Sequence, residues 1–424
     1  VQLTLHDPFA ALAGTVRDFL AGSVPDRIGV AVSGGGDSTA LLLLLADWAA
    51  AGGPAVAAVT VDHGLRREAA DEAQAAGKLA ARLGVPHDIL RWDEADGRGN
   101  LPDRARAARY RLIGGWAAAR GIGTVALGHT RDDQAETVLM RLARGSGVDG
   151  LAGMPARRVV DGVAFVRPLL PVGREALRDF LRARGEAWVE DPTNDDAAYD
   201  RVKARRALAA LAPIGVDAEN LASTAERMAM ASEALWRLAR GVAEASLRVD
   251  GGDAVFAGAP FDPAPEETRL RLIAEAIRWV AGGVYRPRLA ELQAAMAGLA
   301  ERPRTLAGAA LWRDGPDVRI GREAAAAGPG VAVGALWDGR WRIEGPAGRG
   351  MVVRALGAGG LALCPGAARA TGLPRATLLA SPAVWAGDRL VAAPLARPDA
   401  ALTAGWRVTL APDTRTFLLR LNVS

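Results

Sequence analysis

Residues Ile28–Leu45 read IGVAVSGGGDSTALLLLL, and the rest of the chain is organised around them. The apolar, β-prone run that ends at Ser33 reads as a buried strand, and the leucine-rich stretch after Ser38 has no breaker before Gly52 and reads as a helix. Between them lies a tight turn. Its three consecutive glycines let the backbone reach positive φ and let an anion approach the main chain without meeting a Cβ. Ser38 is expected to be the N-cap. The helix it opens adds unpaired N–H groups and the positive dipole end, about 0.3–1 kcal/mol per exposed anionic charge. The turn is therefore expected to cradle phosphate through Ser33, Gly34, Gly35, Gly36, Asp37 and Ser38. A glycine-rich turn that binds nothing is the alternative. The spacing is neither a Walker A loop, which needs a lysine, nor GxGxxG. Asp37 would repel a bare phosphate, so it points to Mg2+ bridging its carboxylate and phosphate oxygens.

Outward from this unit, Phe9–Leu20 reads as a helix, Ala55–Val61 as a second strand and 68–83 as an amphipathic charged helix. His87–Trp92 and Thr124–Gly128 are further strands, with helices over 103–120 and 132–142. Strands alternating with helices predict an α/β fold with a doubly wound parallel sheet, which binds ligands at the carboxyl ends of its strands. Three polar segments fall at such ends: 33–38, Asp62-His63 and 129–136. They are expected to surround one crevice.

At 424 residues the chain has room for two or three domains. The reading is a catalytic domain over 1–215, a mainly helical domain over 216–323 that ends in a hairpin around 313–317, a linker over 324–330, and a small β-rich domain over 331–424. No signal peptide is visible, and the longest apolar run near the loop falls well short of the ~20 residues that span a bilayer. A single cysteine, Cys364, excludes an internal disulfide, a CxxC redox pair and a thiolate metal cluster, and favours a cytoplasmic setting. The net charge of +4 is small. The isoelectric point of about 9.8 hints at anionic partners, although arginine-rich, lysine-poor usage is also what a GC-rich genome writes.

Asp132-Asp133-Gln134-Ala135-Glu136-Thr137 opens a helix and puts Asp132 and Glu136 four residues apart on one face. Such carboxylates can hold Mg2+ or receive an ammonium group; they also fit a solvated helix start that complements the dipole. His129 can act as a general acid or hydrogen-bond phosphate, or be a packed histidine. Asp62 follows the second strand, where an acidic residue often meets a ribose or an amine. Arg201, Lys203, Arg205 and Arg206 make a basic helix suited to RNA phosphates or to solvent.

SGGGDS resembles the PP-loop of the N-type ATP pyrophosphatase superfamily. With VDHGLR (61–66), the AR–ARY segment at 105–110, GHTRDDQAET (128–137), LMRLARGSGVDGLAGM (139–154), RPLL (167–170) and EDPTN (190–194), the order of motifs is similar to the tRNA(Ile)-lysidine synthetase family, strongly over about 27–211. The resemblance implies ATP-dependent attachment of free L-lysine to C2 of the wobble cytidine of a CAU-anticodon isoleucine tRNA, through an adenylated cytidine, with release of AMP and pyrophosphate. It implies catalytic roles for Asp37, Asp132, Glu136 and His129, with Asp37 on Mg2+. It assigns lysine to Glu136, Asp133 and Asp62, and tRNA to Arg106, Arg109, Arg201, Lys203 and Arg205. A homodimer is compatible with the sequence, and no membrane partner is expected. Thr130 stands where the family has histidine, and Val202 where it has asparagine. Another adenylating PP-loop enzyme and an RNA-binding module with an inactive loop are the competing readings; the missing cysteine pairs and glutaminase nucleophile count against thiolases and amidotransferases.

Overall fold

The computed structural model describes residues 9–64, 69–92, 101–189, 200–283, 285–346, 348–397, 405–411, 416–418 and 421. The EDPTN motif, 190–194, lies outside the described residues. The chain divides into two compact units, the first running to Ser232 and the second from Glu233 to Val423.

The first unit begins with α1 (Ala10–Leu20), β1 (Arg27–Ala31) and α2 (Gly36–Ala50). Then come β2 (Ala55–Asp62), α3 (Ala69–Arg82), β3 (His87–Arg91), α4 (Leu101–Ala119), β4 (Thr124–Leu127) and α5 (Arg131–Ala143). After the single turn α6 (Val148–Leu151) follow β5 (Arg157–Val160), β6 (Val163–Val166), α7 (Arg174–Ala183), α8 (Asp200–Leu211) and α9 (Ala218–Ser246), which crosses into the second unit.

The six strands lie in the order β3-β2-β1-β4-β6-β5. All pair in parallel except β5, an antiparallel edge strand that the sequence reading did not anticipate. Its signal was present: Asp161 and Gly162 both take positive φ, 49° and 82°, the two-residue Asp-Gly turn that suits a hairpin. Ile28 and Val30 of β1 are wholly buried, as a central parallel strand covered on both faces requires. On one face α1, α2, α3 and α7 share a core; on the other, Ile113, Trp116 and Ala117 of α4 pack with Val59, Val125 and Phe165. Leu41 to Leu45 are at most 3% exposed, so α2 is apolar all round because it is enclosed all round.

From β1 the chain winds one way to β2 and β3, then returns to the other side of β1 as β4. The loops after β1 and β4 therefore part at a topological switch point. Gly128 brings them together: a Cβ there would lie 2.9 Å from the backbone N and Cα of Ser38.

In the second unit, five antiparallel strands run in the order 247–250, 253–256, 317–322, 309–314 and 304–306. The hairpin expected around 313–317 pairs Ala309 with Arg322 through to Asp314 with Asp317. Phe256, Phe261, Trp279 and Phe417 centre this core. The segments GRWRIEG and GMVVRAL form strands Trp341–Glu344 and Met351–Ala355, in a three-stranded and a four-stranded sheet respectively. The stretch 324–330, expected to be a flexible linker, is tied down: Asp338 accepts from Arg322 Nε at 2.7 Å and from the Gly328 N–H at 2.9 Å. Asp253, 3% exposed, accepts from Arg319 Nη1 at 3.3 Å and Thr377 Oγ1 at 2.5 Å. Burial pushes its pKa up from 3.8 to about 7, against the pull of Thr377 and Arg319.

Candidate active site

Only one of the three loop glycines, Gly34, takes positive φ, at 86°; Gly35 is the N-cap of α2 and Gly36 its first residue. Ser38 is thus not the N-cap but lies inside the first turn. The reason is local: its Oγ donates back to Gly35 O at 3.0 Å and accepts the Ser33 N–H at 3.1 Å, closing the loop on itself. Ser33 Oγ lies 3.2 Å from Ser38 Oγ. Gly36 has its own steric reason, since a Cβ would meet the Trp188 ring at 3.3 Å, while Val189 N–H bonds to Gly34 O at 3.0 Å. Residues 188–189 thereby lie along the loop.

Across the switch point, α5 opens with a capping box. Asp133 Oδ2 accepts from the Thr130 N–H at 2.8 Å and from its hydroxyl at 3.0 Å, and Thr130 Oγ1 accepts the Asp133 N–H at 3.4 Å. Threonine at this wholly buried position is therefore a helix cap. Gln134 is structural too: its side-chain amide pairs with both the N–H and the C=O of Met154, at 2.7 and 3.1 Å. Asp132, Asp133 and Glu136 remain for chemistry.

What gathers them is Arg174, the first residue of α7, which the sequence reading did not assign. Its Nε donates to Asp37 Oδ2 at 3.3 Å, its Nη2 to Asp133 Oδ1 at 3.0 Å and its Nη1 to Glu136 Oε1 at 3.3 Å; its backbone N–H bonds to Asp132 Oδ2 at 2.7 Å. Arg205 Nε donates to the same Glu136 oxygen at 2.6 Å. Glu136 is 1% exposed, and its other oxygen, Oε2, is buried without a partner among the described residues. An arginine at a helix start opposes the dipole, so the carboxylates hold Arg174 there.

Burial, reinforced by the Asp133 and Asp132 charges and opposed by Arg174, pushes Asp37 up from 3.8 to about 6. Burial also raises Asp133, but Arg174 and the Thr130 N–H more than offset it and leave this carboxyl below its usual range. Burial works against the charge of Arg174 as well; Asp133, Asp37, Glu136 and Asp132 outweigh it and raise the guanidinium further. His129 is driven down to about 3 by burial, and by Arg167, Arg201 and Arg106 against the attraction of Asp133. It is a neutral imidazole near pH 7, suited to hydrogen bonding rather than to acting as a cationic acid, and its Nδ1 is buried without a partner among the described residues.

Of the other expected site residues, Arg205 joins this group and Asp62, Arg106, Arg109, Arg201 and Lys203 lie apart from it. Asp62 accepts the Gly64 N–H at 2.9 Å, and no contact joins it to the α5 carboxylates among the described residues. Its neighbour His63 accepts at Nε2 from Arg109 Nη2 at 3.1 Å, and burial and Arg109 lower it to about 4. Arg106 is exposed and lies over the Tyr110 ring, whose hydroxyl accepts from the buried Arg167 of RPLL at 2.7 Å. Arg201 and Lys203 are exposed on α8, with Lys203 3.4 Å from Asp200. Arg205, expected to face RNA, instead turns inward to Glu136, and Val202 is buried.

The PP-loop domain family matches residues 10–212. The tRNA(Ile)-lysidine synthase of Ruegeria pomeroyi is 48% identical over 412 residues, 97% of this chain and 97% of its own. The chain belongs to the tRNA(Ile)-lysidine synthase family. Another member, from Bradyrhizobium diazoefficiens, is 43% identical over 69% of this chain and 88% of its own. Among solved structures, a U34-tRNA thiolase from Methanococcus maripaludis covers 52% of this chain and 79% of its own at 17% identity, with a TM-score of 0.46. Family membership makes the protein a PP-loop ligase of tRNA modification that uses ATP.

Proposed function

We propose that this site runs lysidine formation in two steps on a CAU-anticodon isoleucine tRNA, with the family's ATP-dependent ligation divided among the residues as follows. In the first step O2 of the wobble cytidine attacks the α-phosphorus of ATP, the bond to the β-phosphate oxygen breaks, and pyrophosphate leaves. The amides of Gly34, Gly35 and Gly36 and the hydroxyls of Ser33 and Ser38 receive the leaving group at the start of α2. In the second step the ε-amine of lysine bonds to C2, the C2–O bond breaks and AMP departs. The amine must shed a proton, and Glu136 is placed to take it.

The observation that carries the lysine assignment is Glu136 Oε2, a buried carboxylate oxygen with no partner among the described residues, within the group that Arg174 gathers with Asp133. An unpaired buried acceptor is costly. An ammonium group satisfies it. Asp132 is held at the same helix start by the Arg174 N–H, and His129, neutral, hydrogen-bonds the nucleotide or the base.

Mg2+ fits Asp37. The described residues contain no cluster of three or more metal-ligating side chains. Mg2+ keeps its waters and needs only one or two carboxylates plus substrate phosphates, and Asp37, held by Arg174 at 3.3 Å, offers such a carboxylate at the loop. When bound it would supply neutralisation of the charge building on the transferring phosphate.

For tRNA we assign Arg106, Arg109, Arg201 and Lys203, at the edge of the catalytic unit. Residues 331–424 carry eleven arginines against five acidic residues, which supports a backbone-contacting role for this end of the chain. The three-domain reading, 1–215, 216–323 and 331–424, is proposed on the same footing: α9 begins at Ala218, and the cores around Leu356 and Trp337 are separate from the core around Phe256. A cytoplasmic place of work is supported by the tRNA substrate and by a lone thiol kept buried, and no described helix is long and apolar enough to cross a membrane. A homodimer remains compatible with these assignments.

The test is pyrophosphate release with tRNA and lysine omitted in turn. Release that requires tRNA but persists, as a single turnover, without lysine supports the order of steps. Release with ATP alone contradicts it.

A further inference from the structure

Arg174 touches two functional regions at once. Its Nε holds Asp37, on the nucleotide side, while its Nη1 and Nη2 hold Glu136 and Asp133, on the lysine side. The side chain is 18% exposed, and the contact to Asp37 is long at 3.3 Å, between partners that are both partly open to solvent. Glu136 has a second guanidinium, Arg205, on the oxygen that Arg174 shares, so it does not depend on Arg174 for charge balance. Asp133 keeps Oδ2 for the cap of α5 and gives only Oδ1 to Arg174.

We propose that Arg174 is a stand-in cation that couples the two substrates: metal-bound ATP takes Asp37, Arg174 loses one of its three anchors, and it yields Asp133 and Glu136 more readily to the ammonium of lysine. The inference rests on the assignments made above for Asp37, Asp133 and Glu136. A guanidinium can span three acceptors because its donors form a fixed fork, whereas an ammonium is a point charge. Releasing any one acceptor weakens its hold on the other two. By linkage the effect is reciprocal, so lysine also tightens binding of the nucleotide. Arg174 is thus a positioning residue that touches neither reacting atom.

The experiment is calorimetric titration of L-lysine into the full-length protein, with and without Mg2+ and an ATP analogue whose α,β-bridge is methylene. Wild type, Arg174→Ala and Arg174→Lys are compared. In wild type the nucleotide analogue is expected to tighten lysine binding at least about five-fold. In Arg174→Ala, lysine binds nucleotide-free protein more tightly than wild type does, because the internal competitor is gone. The analogue's effect then shrinks by at least about three-fold, leaving the direct attraction of the phosphates. Should the alanine variant fail to fold, Arg174→Lys serves: it keeps the charge but cannot bridge, and the coupling falls all the same. A coupling ratio retained in either folded variant, or weaker lysine binding by nucleotide-free Arg174→Ala, overturns the proposal. Failure of wild type to bind lysine at all overturns the lysine-site reading instead, and an affinity that Glu136→Gln does not change does so too.

Discussion

Gly128→Ala tests how closely the phosphate loop is positioned. A Cβ at this residue would stand 2.9 Å from both N and Cα of Ser38 and 3.0 Å from the carbonyl carbon of Asp37, where ordinary contact begins near 3.4 Å. All three atoms are backbone, at the first turn of α2, so no side-chain rotation relieves the clash. Either β4 or the loop must retreat by about 0.5 Å. Overpacking of this kind costs about 1–3 kcal/mol of stability. The catalytic cost is of similar size: a 1 Å misplacement is worth about a hundred-fold, so half of that gives about a ten-fold loss in kcat/KM for pyrophosphate release. Gly123→Ala is the control, because nothing lies within 4 Å of the added methyl and its φ is ordinary. Steady-state pyrophosphate release with tRNA and lysine saturating, alongside thermal unfolding, separates the two losses. If Gly128→Ala turns over within about two-fold of wild type, the loop is not held by the approach of β4 and the reasoning fails.

Glu136→Gln removes the charge offered to lysine and should raise the lysine KM about ten- to a hundred-fold, the worth of a charge-assisted hydrogen bond, with the ATP KM little changed; equal effects on both would place lysine elsewhere. Arg201→Ala with Lys203→Ala should weaken tRNA binding and reduce the slope of log K against log salt by about 1 per lost phosphate contact. An unaltered slope would take α8 away from the RNA. Asp253 predicts a pH effect on stability. Its folded pKa, about 7, lies above the unfolded value of 3.8, so the folded state binds the proton more tightly. That contribution is full below the unfolded pKa and is lost as pH rises through the folded one. The difference in unfolding free energy between wild type and Asp253→Asn should therefore move against wild type by about 2 kcal/mol between about pH 5.5 and about pH 8, the rest of the contribution being lost at lower pH. A constant difference across that range would show that Arg319 keeps Asp253 ionised throughout.

The catalytic unit was legible where the pattern is local. An apolar strand, a glycine turn and an all-apolar helix can be assembled in few ways, and the polar residues after β1 and β4 were bound to meet at the switch point of a parallel sheet, whereas Asp62 and His63, after β2, stand apart from them. The capping role of Thr130 and the clasp of Gln134 on Met154 were hidden inside a motif read as chemistry, because a buried polar side chain serves structure or reaction with the same atoms. Arg174 was missed for a different reason. Its partners lie 137, 41 and 38 positions away, and its own segment, REALRDFLRA, reads as an ordinary amphipathic helix. Two signals could have exposed it: an arginine where the dipole disfavours one, and four carboxylates at a switch point with no side-chain cation of the chain's own assigned to balance them. Ser38 shows the limit of capping rules, since a glycine can hold the N-cap while the serine inside the turn stitches the loop together.

The claim at the centre is that the loop after β1 and the carboxylates of α5 act together on a tRNA base. Nucleoside analysis of a CAU-anticodon isoleucine tRNA, after incubation with ATP, Mg2+ and labelled L-lysine, tests it most directly. The account predicts label on the wobble cytidine alone, one lysine for each AMP and pyrophosphate released. Pyrophosphate released without label in the nucleoside, or label that survives Asp37→Ala undiminished, would contradict it.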